Sequence, residues 1–227
     1  MSIALEPLKA LPHQLEAIGA STKFLRNHDR ARVISACGTG KTLTQMRTAE
    51  ALDPTRIVVL VPTLALVKQS YEAWKRSSKW GDSLKAVFVC SDKTIGAGQN
   101  GARGPGSEDE DEDEVTLDEL ELVGVPTTDP LEINRNIDSQ MGTVDSPVVV
   151  FSTYASADML GAAMKMRAVG DRSFDVGIFD EAHKTAGDEG KQNAFALSDA
   201  NLEIKKRAYT ATPRVFIKFR VNDGDLR

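Results

Sequence analysis

The sequence predicts an α/β protein of three layers, a mostly parallel central sheet with helices on both faces. From residue 32 onward, short apolar runs alternate with amphipathic stretches, the order produced by strand–crossover–strand units. The runs at 56–61, 147–151 and 174–179 are rich in β-branched residues and nearly continuous in apolar character. Strands take that composition where helices cover both of their faces. The shorter run at 32–35 leads into Ser-Ala-Cys-Gly-Thr-Gly-Lys-Thr at 35–42, and the run at 174–179 leads into Asp-Glu-Ala-His at 180–183, residues that carry chemistry.

Taken in chain order, residues 12–27 read as a helix whose apolar face is Leu15, Ile18, Ala20 and Leu25. Strands are expected at 32–35, 56–61, 85–89, 147–151, 174–179 and 206–210. Helices are expected at 41–52, 64–79, 155–168 and 189–199. Residues 96–146 break this rhythm as an insertion. Five glycines and a proline between 96 and 106 precede an acidic run at 108–114, a composition too poor in apolar surface to offset the entropy of ordering. A disordered acidic loop is expected there, followed by a short helix or strand at 115–123 and a helix at 129–140. One domain is thus expected over 1–214, leaving 215–227 as an unassigned tail.

Bulk properties narrow the class. A chain of 227 residues, 41% hydrophobic and 27% charged, can bury one sizeable core, as a soluble globular protein does. No apolar stretch approaches the roughly eighteen residues of a membrane span, and the first residues lack a secretory pattern. Cys37 and Cys90 are too few and too far apart for a disulfide framework or a zinc site, so reduced thiols in a cytoplasmic protein are expected. The net charge of −5 hides an asymmetry. Ten of the 33 acids fall within 108–122, and the other 23 face 28 Lys and Arg, a balance of +5. A mildly basic body is compatible with nucleic acid.

The segment 35–42 reads as a phosphate loop. Gly38 and Gly40 let the backbone curl so that N–H groups, with those of Thr39 and Lys41, face a phosphate, and the helix that follows adds its dipole. Lys41 would bridge the β- and γ-phosphates of ATP, and Thr42 would ligate Mg²⁺ through its hydroxyl. The full pattern asks for glycine at 35, where this chain has Ser35. Downstream, the strand at 174–179 delivers Asp180 to the carboxyl edge of the sheet, where ligands of such folds bind. Asp180 would hold the metal and Glu181 would polarise the attacking water, making Lys41, Asp180 and Glu181 the catalytic set. His183 stands too far along for metal work and is read as coupling the site to another element.

This constellation resembles the superfamily 2 DEAD/DEAH-box helicases, in the flavour of restriction-enzyme-type DNA helicases, and specifically their first RecA-like domain. Leu11-Pro12-His13-Gln14 looks like the adenine-recognition element, which implies that Gln14 reads the base. The segment 61–69 looks like a motif that grips a nucleic-acid backbone, implying contacts from Pro62, Thr63, Lys68 and Gln69. Phe151-Ser152-Thr153-Tyr154 sits where another strand-contact motif belongs, implying Ser152 and Thr153. Tyr209-Thr210-Ala211-Thr212-Pro213 looks like the motif that links hydrolysis to movement, implying Thr210 and Thr212 as coupling residues. Each also has a plain structural reading: Thr63 as a helix cap, 151–154 as a strand-to-helix junction, the threonines as local hydrogen-bonders.

The resemblance implies ATP and Mg²⁺ as cofactors, DNA as partner, and a second RecA-like domain that supplies an arginine. Only thirteen residues follow Arg214, so a truncated or split form, weak or inactive alone, with its second motor domain in trans, is expected. Two other functions stay open at this point, an RNA-remodelling ATPase and a non-catalytic nucleotide-dependent regulatory module.

Overall fold

The computed structural model describes residues 9–36, 38–90, 126–182 and 194–211. Six strands form one sheet: β1 (Arg30–Ile34), β2 (Arg56–Val61), β3 (Lys85–Val89), β4 (Val148–Thr153), β5 (Phe174–Phe179) and β6 (Ile204–Ala211). Their spatial order is β1-β6-β5-β2-β4-β3, and every adjacent pair is parallel. All carboxyl ends therefore lie along one edge.

Side chains alternate along a strand, so a central strand must be apolar at every position. In β2, Val58 and Leu60 enter one core, while Ile57, Val59 and Val61 enter the other. The first core is closed by α4 (Pro130–Asp138) and α5 (Ala157–Lys165), the second by α2 (Lys41–Glu50) and α3 (Leu64–Ser77). Aromatic rings fill the second. Tyr71 meets Phe88 and Phe151 edge-on at 5.2 and 5.7 Å, and Trp74 stacks on Trp80 at 6.0 Å. The Trp80 indole satisfies its N–H on the Val144 carbonyl at 2.7 Å.

The helix expected at 129–140 is present as α4 and belongs to the domain body rather than to a loose insertion. Pro130 opens it, Asp129 caps it by accepting from the Leu131 amide at 3.0 Å, and Ile133 and Ile137, one turn apart, are buried in the first core. Residues 96–125, including the acidic run and the element expected at 115–123, lie outside the described residues, as does the tail 215–227. Of the helix expected at 189–199, the described part is a 3₁₀ turn, Ala194–Leu197.

The first helix, α1 (Pro12–Asn27), has the expected bounds but not the expected face. Leu15 is 58% exposed and Ala20 is exposed, whereas Gln14, Ser21, Thr22 and Leu25 are buried. The buried residues form a helical stripe made mostly of small or polar side chains, which an apolar count passes over.

At the end of the sheet remote from the carboxyl edge, Asp175 accepts from the Thr55 amide, the Thr55 hydroxyl and the Arg56 amide at 2.8–3.1 Å. Burial works against ionisation of this carboxyl. The Lys205 ammonium and the Thr55 and Arg56 donors outweigh it and hold the group below the ordinary aspartate range. The buried Arg207 on β6 ties down the returning segment 194–202 by donating to the Ala196 and Leu202 carbonyls at 2.8 and 2.7 Å. Among the described residues, no helix is long and apolar enough to cross a membrane.

Candidate functional site at the carboxyl edge

β1 runs into the loop 35–40, and β6 holds the start of that loop through a bond from the Ser35 amide to the Ala211 carbonyl at 3.2 Å. Ser35 thus meets the sheet through its main chain, which any residue supplies, so its departure from glycine costs nothing there. Gly38 and Gly40 both adopt left-handed backbone, at φ 74° and 76°, a conformation that costs an L-residue about 1–2 kcal/mol. Gly40 is also the N-cap of α2, whose first turn holds no acidic residue. The unsatisfied N–H groups of that turn and the helix dipole favour an anion at this place. Cys37 lies outside the described residues.

Gln14 braces the loop from outside. Its Oε1 accepts from the Leu11 amide at 2.7 Å, half of a capping box, and its Nε2 donates to the Thr39 carbonyl at 2.8 Å. The adenine-reading residue implied by the resemblance is therefore joined directly to the phosphate loop. A β-carbon on Gly40 would stand 2.3 Å from Gln14 Nε2, whereas one on Gly38 would meet nothing within 4 Å. Gly40→Ala should therefore weaken nucleotide binding several-fold more than Gly38→Ala, because both carry the same dihedral penalty but only the first expels Gln14. Titration of both variants with a fluorescent ATP analogue checks this, and equal losses would count against it.

The second half of the site rises from β5. The Asp180 amide donates to the Leu60 carbonyl at 2.9 Å, so the strand stays tied to β2 up to Asp180. Glu181 then turns into left-handed backbone at φ 47°, strain of the kind that collects at functional sites. That turn brings its carboxylate onto the Lys41 ammonium in a direct ion pair, although 140 positions separate them. Asp180 takes a hydrogen bond from the Thr210 hydroxyl to Oδ1 at 2.6 Å, and Thr210 itself accepts from Gln45 Nε2 at 2.9 Å. The Tyr154 hydroxyl donates to the Asp180 main-chain carbonyl at 2.8 Å. Burial, reinforced by Asp180, Tyr209 and Glu181, pushes the Tyr154 phenol well above its usual range, so it stays a neutral donor.

The structure thus joins Gln14 to Thr39, Lys41 to Glu181, and Asp180 to Thr210. Thr42 is the next residue of α2 after Lys41 and is half-buried. His183 and Thr212 lie outside the described residues.

The residues expected at a nucleic-acid strand fare differently. Pro62, Thr63 and Lys68 are half-buried and Gln69 is exposed, at the start of α3 beside the carboxyl edge. The Thr63 hydroxyl accepts from the Leu66 amide at 3.3 Å, so it caps α3. Ser152 and Thr153 close the carboxyl end of β4. Both are fully buried, with Ser152 Oγ donating to the Thr153 carbonyl at 3.0 Å and Thr153 Oγ1 bonded to Ser156 Oγ at 3.1 Å. β4 lies between β2 and β3, an interior place in the sheet. Gln45 and Tyr154 are the site residues for which the sequence pattern assigned no role. A polar residue on the inward stripe of α2 was the available signal for Gln45.

The donor set fits a magnesium nucleotide. A loop with two left-handed glycines opens onto a helix N-terminus without an acid, a lysine and a threonine hydroxyl follow, and a carboxylate is engaged at only one oxygen by the described residues. Residues 7–215 match the family model "Type III restriction enzyme, res subunit". Among solved structures, the chain is similar to the ATP-dependent Type ISP restriction-modification enzyme LlaBIII bound to DNA, at 26% identity and a TM-score of 0.70 over 92% of this chain and 13% of that one. It is also similar to a nuclease-deletion mutant of the Type ISP enzyme LlaGI in complex with a DNA substrate mimic, at 28% identity and a TM-score of 0.68 over 92% and 18%. A Sulfolobus solfataricus SWI2/SNF2 ATPase core in complex with double-stranded DNA shares the fold at 15% identity and a TM-score of 0.52, over 96% and 36%. No curated protein matches the chain. The family match spans both halves of the site and the sheet between them, and the chain therefore belongs to the type III restriction enzyme res-subunit family as a RecA-like, helicase-type ATPase domain of superfamily 2.

Proposed function

We propose that this domain binds ATP with Mg²⁺ and is one lobe of a motor that couples hydrolysis to movement along DNA. The observation that supports it best is the meeting of Lys41 with Glu181 beside the Asp180–Thr210 pair, since a phosphate-binding lysine and a water-activating carboxylate serve one reaction only if they share one site. Lys41 would carry the charge of the β- and γ-phosphates, and the main chain of 38–42 would orient them. Glu181 would accept a proton from the attacking water, and Thr42 and Asp180 would hold the metal. Magnesium would supply neutralisation of the charge that develops on the phosphate oxygens.

DNA as partner is supported by the relatives, which were solved with DNA, and by exposed Gln69 and half-buried Lys68 near the start of α3. The chain spans 13% and 18% of those two proteins, so movement itself would need a second lobe to close on the nucleotide. That lobe would bring the arginine that stabilises the transition state, a contribution of about 10³–10⁵ in turnover.

The test is direct titration of the purified chain with a fluorescent ATP analogue, and with single-stranded DNA, duplex DNA and RNA of equal length. Magnesium-dependent nucleotide binding and a preference for DNA over RNA are expected, with slow hydrolysis. Binding indifferent to magnesium would overturn the ATPase reading, and a preference for RNA would overturn the DNA motor.

A further inference from the structure

Gln45 lies on α2 one turn beyond Lys41 and is 4% exposed. Its amide donates to Thr210 Oγ1 at 2.9 Å, and that hydroxyl in turn reaches Asp180 Oδ1 at 2.6 Å. The direction of this chain follows from its ends. An ionised carboxylate only accepts, so the single Thr210 proton must go to Asp180. The hydroxyl is then left as an acceptor toward Gln45, and the Gln45 side chain must present N–H rather than carbonyl. Each member thus fixes the orientation of the next, as in buried polar relays. The Asp180 main-chain carbonyl is held separately, by the Tyr154 hydroxyl at 2.8 Å. With the backbone and one oxygen both secured, the carboxylate cannot swing freely about its last torsion.

We infer that Gln45 is a positioning residue that orients the Asp180 carboxylate toward the metal of the bound nucleotide, acting through Thr210. The inference rests on the reading of Asp180 as a metal-holding residue, and it adds a member to the site that neither the phosphate loop nor the Asp-Glu-Ala-His segment contains. It also explains why an amide stands on the buried stripe of α2 between Thr44 and Met46. A bond from α2 to β6 could have been replaced by apolar packing at little cost in stability, whereas a carboxylate needs its approach angle set to within about 10–20° to serve a metal.

The experiment measures the gain in affinity that magnesium confers on a fluorescent ADP analogue, as the ratio of dissociation constants in EDTA and in magnesium. Gln45→Glu keeps the shape but turns the donor into an acceptor that competes for the Thr210 proton. Gln45→Met keeps the length without a donor, and it carries the test if Gln45→Glu fails to fold. Each is expected to cut the magnesium gain about tenfold, the upper scale of one buried hydrogen bond between neutral groups, while affinity in EDTA stays within about twofold. Thr210→Val should show the same loss, and the double variant Gln45→Met/Thr210→Val no further loss, because both act through one relay. Equal losses with and without metal, an intact magnesium gain, or additive losses in the double variant would each overturn the assignment. A wild-type chain that binds the analogue without any magnesium gain would instead overturn the reading of Asp180 as a metal-holding residue, and the assignment would fall with it.

Discussion

Lys41→Ala is expected to abolish nucleotide binding while leaving the fold in place. The side chain projects from the first residue of α2 and is 11% exposed, held by the Glu181 carboxylate. A phosphate that enters the loop meets this ammonium, and charge-assisted hydrogen bonds from it are about twice as strong as neutral ones. Losing two of them, about 1.5–3 kcal/mol each, should lower affinity on the order of a hundredfold or more. The fold does not depend on the lysine to the same degree. Its removal leaves Glu181 without that cation at the rim of the sheet, where the carboxylate is 19% exposed and reachable by water. A cost of about 1 kcal/mol corresponds to a fall of roughly 2–4 °C in melting temperature for a domain of this size. Titration with a fluorescent ATP analogue and a thermal melt measure the two quantities independently. Unchanged affinity would mean that residues 38–42 are only a glycine-rich turn ahead of a helix.

How much of this site can be read from the sequence depends on how far each feature reaches. β2, β3 and β5 fall on the residues their apolar runs mark, and α1 and α3 begin at Pro12 and after Thr63 as their starting signals require. These are local matters of propensity and capping, decided within a few residues. The inward stripe of α1 differs from the expected face because Gln14, Ser21 and Thr22, which an apolar count passes over, are buried on it beside Leu25. The burial of Ser152 and Thr153 follows from β4 being an interior strand, and strand order is not a local property. The Gln45–Thr210 bond spans 165 positions and depends on α2 meeting β6, a contact that no pattern in either segment announces. The segments 38–42 and 180–181, by contrast, meet at the carboxyl edge through Lys41 and Glu181, as expected of two runs that each follow a parallel strand. Helix α4 lies between these extremes. Ile133 and Ile137 have helical spacing, but their place after a glycine-rich acidic stretch made them look like part of it.

Glu181→Gln is expected to move two measurements in opposite directions, with ATP bound more tightly and hydrolysis lost. Glu181 is held in left-handed backbone at φ 47° so that its carboxylate lies on Lys41. An incoming γ-phosphate therefore competes with this carboxylate for the ammonium, and also meets its negative charge. The glutamine side chain has the same shape but no charge, and its bond to Lys41 should be about half as strong. The difference, roughly 1 kcal/mol for a partly exposed pair, corresponds to about a fivefold gain in affinity. Hydrolysis should fall by about 10²–10⁴, since an amide cannot accept the proton of the attacking water. Simple damage to the site would weaken binding and turnover together, so the opposite signs separate a competing contact from a structural one. A weaker nucleotide affinity in Glu181→Gln would show that the Lys41–Glu181 pair helps to build the phosphate site rather than to compete with the phosphate for it.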